Sequence, residues 1–151
     1  MKLYKLTRSN CTTRENTLWV PGEWRETSGI GSLCSSGWLH AYEHPLLAIL
    51  HNPIHAYIVN PRLWEAEGAG KELRDDEMKL GVTRLRIVRE LAVPEISVLQ
   101  QVAYGIACAW SSGSASWRTW AEDWLSGKER SRVKAAEARA EARAAAWAAR
   151  A

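Results

Sequence analysis

Four histidines, His40, His44, His51 and His55, fall within sixteen residues, and Cys34 lies just upstream. Imidazole and thiolate are ligands that suit Zn²⁺. His40-Ala41-Tyr42-Glu43-His44 also spells H-x-x-E-H, the order found on an inverted zinc-protease helix. That chemistry needs both imidazoles on one helical face. Pro45 follows His44 directly and pushes it toward an extended backbone, and the Ser35-Ser36-Gly37 turn before it reads as the entry to a strand. The spacing matches no zinc framework. The expectation is no bound metal, with each histidine meeting a local partner; a zinc site on Cys34, His40 and His44 is the alternative.

A second constellation joins hydroxyls to carboxylates. Arg8 or Arg14, then Ser35, Ser36 or Tyr42, then Glu65-Ala66-Glu67 occur in that order along the chain. The order resembles that of ADP-ribosyltransferases, in which an early Arg or His, a middle Ser or Tyr and a late glutamate act together. The resemblance implies a catalytic set of Ser35, Tyr42, Glu65 and Glu67, the carboxylate polarising a ribose hydroxyl as nicotinamide leaves. The S-T-S motif of such enzymes is missing here, and alternating glutamates also suit the exposed face of a strand.

The third constellation is cationic. Residues 128–151 carry seven Lys/Arg against three Glu, whereas residues 1–127 carry thirteen against fourteen acids, so the net +3 comes from the tail. That tail is alanine-rich and free of Gly and Pro, which predicts a helix. At about 100° per residue, Arg132, Arg139, Arg143 and Arg150 fall within about 40° of one another on a helix about 36 Å long. Such a row could follow a phosphate backbone or an acidic protein groove, with Trp147 as an apolar anchor. The plainer reading is a solvated helix whose charges keep it soluble. Alanine surfaces also permit close helix approach, so the tail could pair with a second copy of itself.

The elements that must position these groups follow from periodicity and turns. Lys2–Thr7 alternates as a strand, Pro21-Gly22 marks a turn, and short strands are expected at Glu23–Thr27, Ile30–Cys34 and Trp38–Tyr42. Pro45 starts a brief helix over Leu46–His51. The segment between Pro53 and Pro61 reads as extended, followed by strands at Arg62–Glu67 and Val82–Leu91. Between those two, 68–77 combines glycines with acids and reads as a mobile solvated loop. After Pro94 the pattern becomes helical, over Glu95–Trp110 and Ala115–Leu125. In the second of these, Trp117, Trp120 and Trp124 share one face, and core packing against the β unit is the expected use. Nine Trp and no Phe are present; a large buried indole needs a partner for its N–H.

The order Leu3-Tyr4-Lys5-Leu6, Pro21-Gly22-Glu23-Trp24, Cys34 to Tyr42 with Pro45, Leu63 to Gly68, then Thr83 to Leu91 resembles a family of small uncharacterised phage and prophage proteins. The matching positions are Cys34, Gly37, Trp38, His40, Pro45, Glu65, Glu67, Gly68 and Glu90, and Leu39 is an insertion between the aromatic and the histidine. The resemblance covers roughly residues 2–91. It implies a phage-related origin and brings no activity with it.

The expected fold is α+β: a small, mainly antiparallel β unit packed by two helices, with a projecting alanine- and arginine-rich C-terminal helix. The expected divisions are a β-rich domain at 1–94, two packing helices of the same domain at 95–127, and a basic arm at 128–151. Three widely spaced cysteines, no leader and no long apolar run point to the bacterial cytoplasm rather than to secretion or a membrane. The expected function is a non-enzymatic, phage-derived binding protein acting on a host protein or nucleoprotein complex, as an inhibitor of host defence, with Arg132, Arg139, Arg143, Trp147 and Arg150 making the contacts. An ADP-ribosyltransferase-like enzyme and a self-assembling phage accessory protein are the alternatives.

Overall fold

The structure, a computed structural model, describes residues 1–75 and 79–148 and divides into two compact units, Met1–Glu95 and Ile96–Ala151. It is an α+β fold with a mainly antiparallel five-stranded sheet and four α-helices among the described residues.

In the first unit, β1 (Lys2–Thr7) alternates as its sequence predicts, burying Leu3, Lys5 and Thr7 on one face. It pairs antiparallel with β4 (Arg62–Asp75), Leu3 opposite Ala66 and Lys5 opposite Trp64. β4 in turn pairs with β5 (Lys79–Leu91). Two short strands, β2 (Arg25–Glu26) and β3 (Leu39–Ala41), lie one after the other along the free edge of β5. The residue after β3, Tyr42, then meets Tyr4 of β1 through two backbone hydrogen bonds of 2.7 and 2.9 Å. The order β1-β4-β5-β3-β1 therefore closes into a small barrel-like ring. Closure removes most of the exposed sheet edge that would otherwise template aggregation.

The face shared by Leu3, Ala41, Trp64, Ala66, Leu80, Val82, Leu85 and Ile87 forms one core, capped by Trp19. A second core forms where α1 (Pro45–His55) packs Ala48 against Leu6 and Leu63, together with Tyr42 and Ile58. Trp64 lies in the first core at 4% exposure, and its indole N–H donates to the buried Thr7 hydroxyl at 2.9 Å.

Two departures from the sequence reading have local causes. The glycine- and acid-rich stretch after Glu67 is strand rather than loop up to Asp75, with Glu72 opposite Val82 and Arg74 opposite Leu80. Gly70, at a positive φ of 85°, takes up a bulge there, and the Thr83 hydroxyl accepts the Lys71 N–H at 2.9 Å. A glycine that reads as a loop signal is thus a kink within a continuous ladder. The connection at 76–78 lies outside the described residues. Likewise, α1 runs through Pro53 to His55 where an extended segment is expected. Asn52 stabilises its end by bonding both the N–H and the carbonyl of Ile58. The expected strand at Ile30–Cys34 is turn and bend instead.

In the second unit, α2 (Val98–Ala109) starts at a capping box in which the Ser97 and Gln100 side chains bond one another's backbone N–H groups. α3 (Ala115–Ser126) is capped by Ser114 and ends at Gly127 in the left-handed region. α4 (Arg132–Ala148) carries the basic tail. The three helices share a core of Ile106, Trp117, Ala121, Trp124 and Ala138. The tryptophan stripe, expected against the β unit, has these helical residues as its buried neighbours, and the tail is docked on them at Ala138 and Ala142 rather than projecting free. Glu141, on the same side, accepts from Ser116 at 2.8 Å and also from Ser114.

Candidate functional site

The ring positions a cavity of about 610 Å³ in the first unit, within the range that suits a small ligand. Its lining is chemically one-sided. Five Lys/Arg and two Glu contribute to it, although residues 1–95 as a whole carry twelve of each sign. Four acids of this unit are engaged elsewhere. Glu65 pairs with Lys2 and Arg89, Glu67 with Arg86, Glu90 with Arg62, and Glu43 with Arg74. Of the two cavity glutamates, Glu26 pairs with Arg84 at 2.8 Å and Glu15 lies at 4.0 Å from Arg14. Among the described residues, Lys5, Arg8, Arg25 and Lys79 make no ion pair with an acid, and all four line the cavity.

What holds these cations in place is neutral. Lys5 Nζ donates to the His40 carbonyl at 2.7 Å and sits 4.6 Å from the Trp19 ring centroid. Arg25 donates to the Leu18 carbonyl at 2.7 Å and lies over the same indole. Arg8 donates to the Thr13 carbonyl. Lys79 Nζ donates to Cys34 Sγ at 3.1 Å. Carbonyls, a π face and a sulfur offset part of the cost of burying the Lys5 and Lys79 ammonium groups, yet leave all four cations without a counter-charge. Burial pulls the Lys5 ammonium down to about 8, and pushes the Tyr42 phenol up to about 12. His40 is also lowered, chiefly by burial, with Lys5 and Lys79 adding repulsion. A cavity with this lining carries a positive potential and presents N–H donors of the kind that make charge-assisted hydrogen bonds.

The residues singled out from the sequence are distributed as follows. Cys34, Ser35, His40 and Tyr42 line the cavity. Glu65 and Glu67 do not: they lie on the other face of β4, beside Trp24 in a separate concavity of about 350 Å³. Ser35 bonds the Ile30 carbonyl at 3.2 Å, and Tyr42 meets His55 at 3.2 Å. The hydroxyls and carboxylates read as a transferase set are thus not brought together. Arg89 and Lys2 hold the Glu65 carboxyl below its usual range, which suits a surface ion pair.

Nor do Cys34, His40 and His44 converge. His40 bonds the Leu33 carbonyl through Nε2, and His44 caps α1 by accepting the Leu46 N–H at 3.2 Å. Among the described residues no group of three His, Cys, Asp or Glu is placed to hold a metal ion. On α4, Arg132, Arg139 and Arg143 are exposed and make no ion pair among the described residues. Arg150 lies outside the described residues, as does the side chain of Trp147. No helix of the described chain is long and apolar enough to cross a membrane.

The cationic lining was hidden in the sequence, because Lys5, Arg8, Arg25 and Lys79 are spread over 75 positions of a charge-neutral segment. Only one signal pointed to it: Lys5 shares the inward face of β1 with Leu3 and Thr7, an unusual place for an ammonium. Residues 1–99 match a family described as a domain of unknown function (DUF7666). No curated protein and no solved structure matches the chain.

Proposed function

Because the chain belongs to the DUF7666 family over residues 1–99, which contain the whole ring, we propose that the shared unit is a non-enzymatic binding module for a small polyanion, held in the cationic cavity. The observation that carries this reading is the set of four cavity cations, Lys5, Arg8, Arg25 and Lys79, that have no acidic partner among the described residues. Guanidinium forks and an ammonium suit phosphate oxygens in particular. The wider setting belongs to the same proposal: a protein of phage origin, in the bacterial cytoplasm, acting on host components and interfering with defence. The residue pattern shared with small phage proteins supports that setting.

Titration calorimetry with inorganic pyrophosphate at low salt tests the cavity reading. Binding is expected, weakening as salt rises. Replacing Arg25 or Lys79 by glutamine is expected to weaken it about tenfold per site, the value of one charge-assisted hydrogen bond. Affinity unchanged in both variants, or no heat at any salt, would sink the reading.

A second reading concerns α4, and the exposure of Arg132, Arg139 and Arg143 without acid partners favours it. This face would contact an acidic host protein or a nucleic-acid backbone. Changing the three arginines to glutamine is expected to lower affinity for a random-sequence duplex at least about tenfold and to flatten its salt dependence. The same slope in variant and parent would remove the nucleic-acid form of this reading.

A further inference from the structure

Lys5 is an odd choice for its position. It lies on the inward face of β1 between Leu3 and Thr7, opposite Trp64, and is only 8% exposed. A leucine there would pack against Trp64 and Trp19 without taking a charge out of water. Lys5 lines the 610 Å³ cavity, and its amine has no carboxylate partner among the described residues. One of its three donors is used, on the His40 carbonyl. The same cavity is lined by Arg8 and Arg25, whose planar forks suit a phosphate group, and by Tyr42, and Arg25 lies over the same Trp19 ring as Lys5.

Resting on the reading of the cavity as an anion site, we propose that Lys5 forms a reversible imine with a phosphate-bearing aldehyde or ketone, the phosphate being held by the cavity's guanidinium groups. The neutral Nζ adds to the carbonyl carbon to give a carbinolamine. Its hydroxyl then leaves as water, and the C=N bond forms. Both protons of the amine nitrogen leave with the former carbonyl oxygen as one water molecule, solvent only relaying them, so the products are the imine and water. No electrons are gained or lost. Desolvation favours this chemistry, because it keeps a usable share of the amine uncharged near neutral pH. With Lys5 lowered to about 8, the neutral fraction at pH 7 is about a tenth, against less than about a thousandth for an ordinary lysine.

Pyridoxal 5′-phosphate serves as the probe, since it carries both an aldehyde and a phosphate. The full chain is incubated with it at pH 7, reduced with borohydride, and its six lysines are mapped by peptide mass spectrometry. Lys5 is expected to carry about tenfold more label than exposed Lys2, Lys71, Lys128 or Lys134, and pyrophosphate is expected to suppress that label. Label confined to the exposed lysines, or to Lys79 in place of Lys5, overturns the proposal. If pyrophosphate binds by calorimetry while Lys5 stays unlabelled, the imine fails and the anion site stands. If Lys5 is labelled but pyrophosphate neither binds nor protects, the amine chemistry stands and the anion site fails. The mapping uses the unaltered protein, so no variant has to fold for the result to count.

Discussion

Lys5→Met is expected to make the protein more stable at pH 7, and to lose that advantage as the pH approaches 10.5. Burial holds the folded ammonium at about 8, against 10.5 in the unfolded chain. Below about pH 8 both states carry the proton, and the folded state bears the full cost of the buried charge. Between about 8 and 10.5 the folded chain has lost a proton that the unfolded chain keeps, so stability rises with pH over that window. At about 1.4 kcal/mol per unit the difference amounts to about 3 kcal/mol. Methionine fills similar space and never charges, so the variant lacks this rise. Urea denaturation of both proteins at pH 7 and pH 10 checks the expectation. Parallel curves at the two pH values would mean that the amine is well solvated in the folded chain. The same experiment reads on function, because a residue whose removal stabilises the fold is kept for some other reason.

Trp117→Ala is expected to cost about 3–5 kcal/mol, the range for truncating a buried aromatic. Trp117 is 5% exposed and stands at the centre of the helical unit. Trp110 meets it edge-on at 6.5 Å and Trp120 lies 5.9 Å away. The turn before α3 is shaped around it: a Cβ at Gly113 would come within 2.3 Å of the indole. Little can therefore collapse into the space that alanine leaves. Loss of helical ellipticity at a much lower urea concentration is the expected readout. A cost under about 1 kcal/mol would show that α2, α3 and α4 are held together by something other than this cluster.

The parts of the fold that could be read from the sequence are those in which one local rule decides. β1 follows from a rough polar–apolar alternation, the start of α1 from Pro45 after an extended His44, and the end of α3 from Gly127 in the left-handed region. The misread parts are those in which tertiary pairing overrides a local signal. Gly68 and Gly70 announce a loop, yet one accommodates close contact with Leu3 and the other a bulge within the β4–β5 ladder. Trp117, Trp120 and Trp124 mark a buried face, but a stripe cannot say what covers it; the alanines of α4 do so. The candidate site was harder still. Net charge drew attention to the tail, where the cations are adjacent in sequence. In the ring, separation of charge happens in space: acids pair on one face of β4 while unpaired cations collect in the cavity, and the sum along the chain stays at zero.

The ring is a clasp with an unequal joint. Three of its four junctions are ladders, while among the described residues the backbone pairing between β1 and the β3 segment is the single bridge of Tyr4 with Tyr42, just past β3. A third bond spans that seam, from Lys5 Nζ to the His40 carbonyl. This cavity-lining side chain is thus also a fastener of the wall. Whatever draws that amine away from the carbonyl, a bound anion or a carbon atom, removes one of three bonds at the weakest junction. Occupancy of the interior and tightness of the clasp become two readings of one equilibrium.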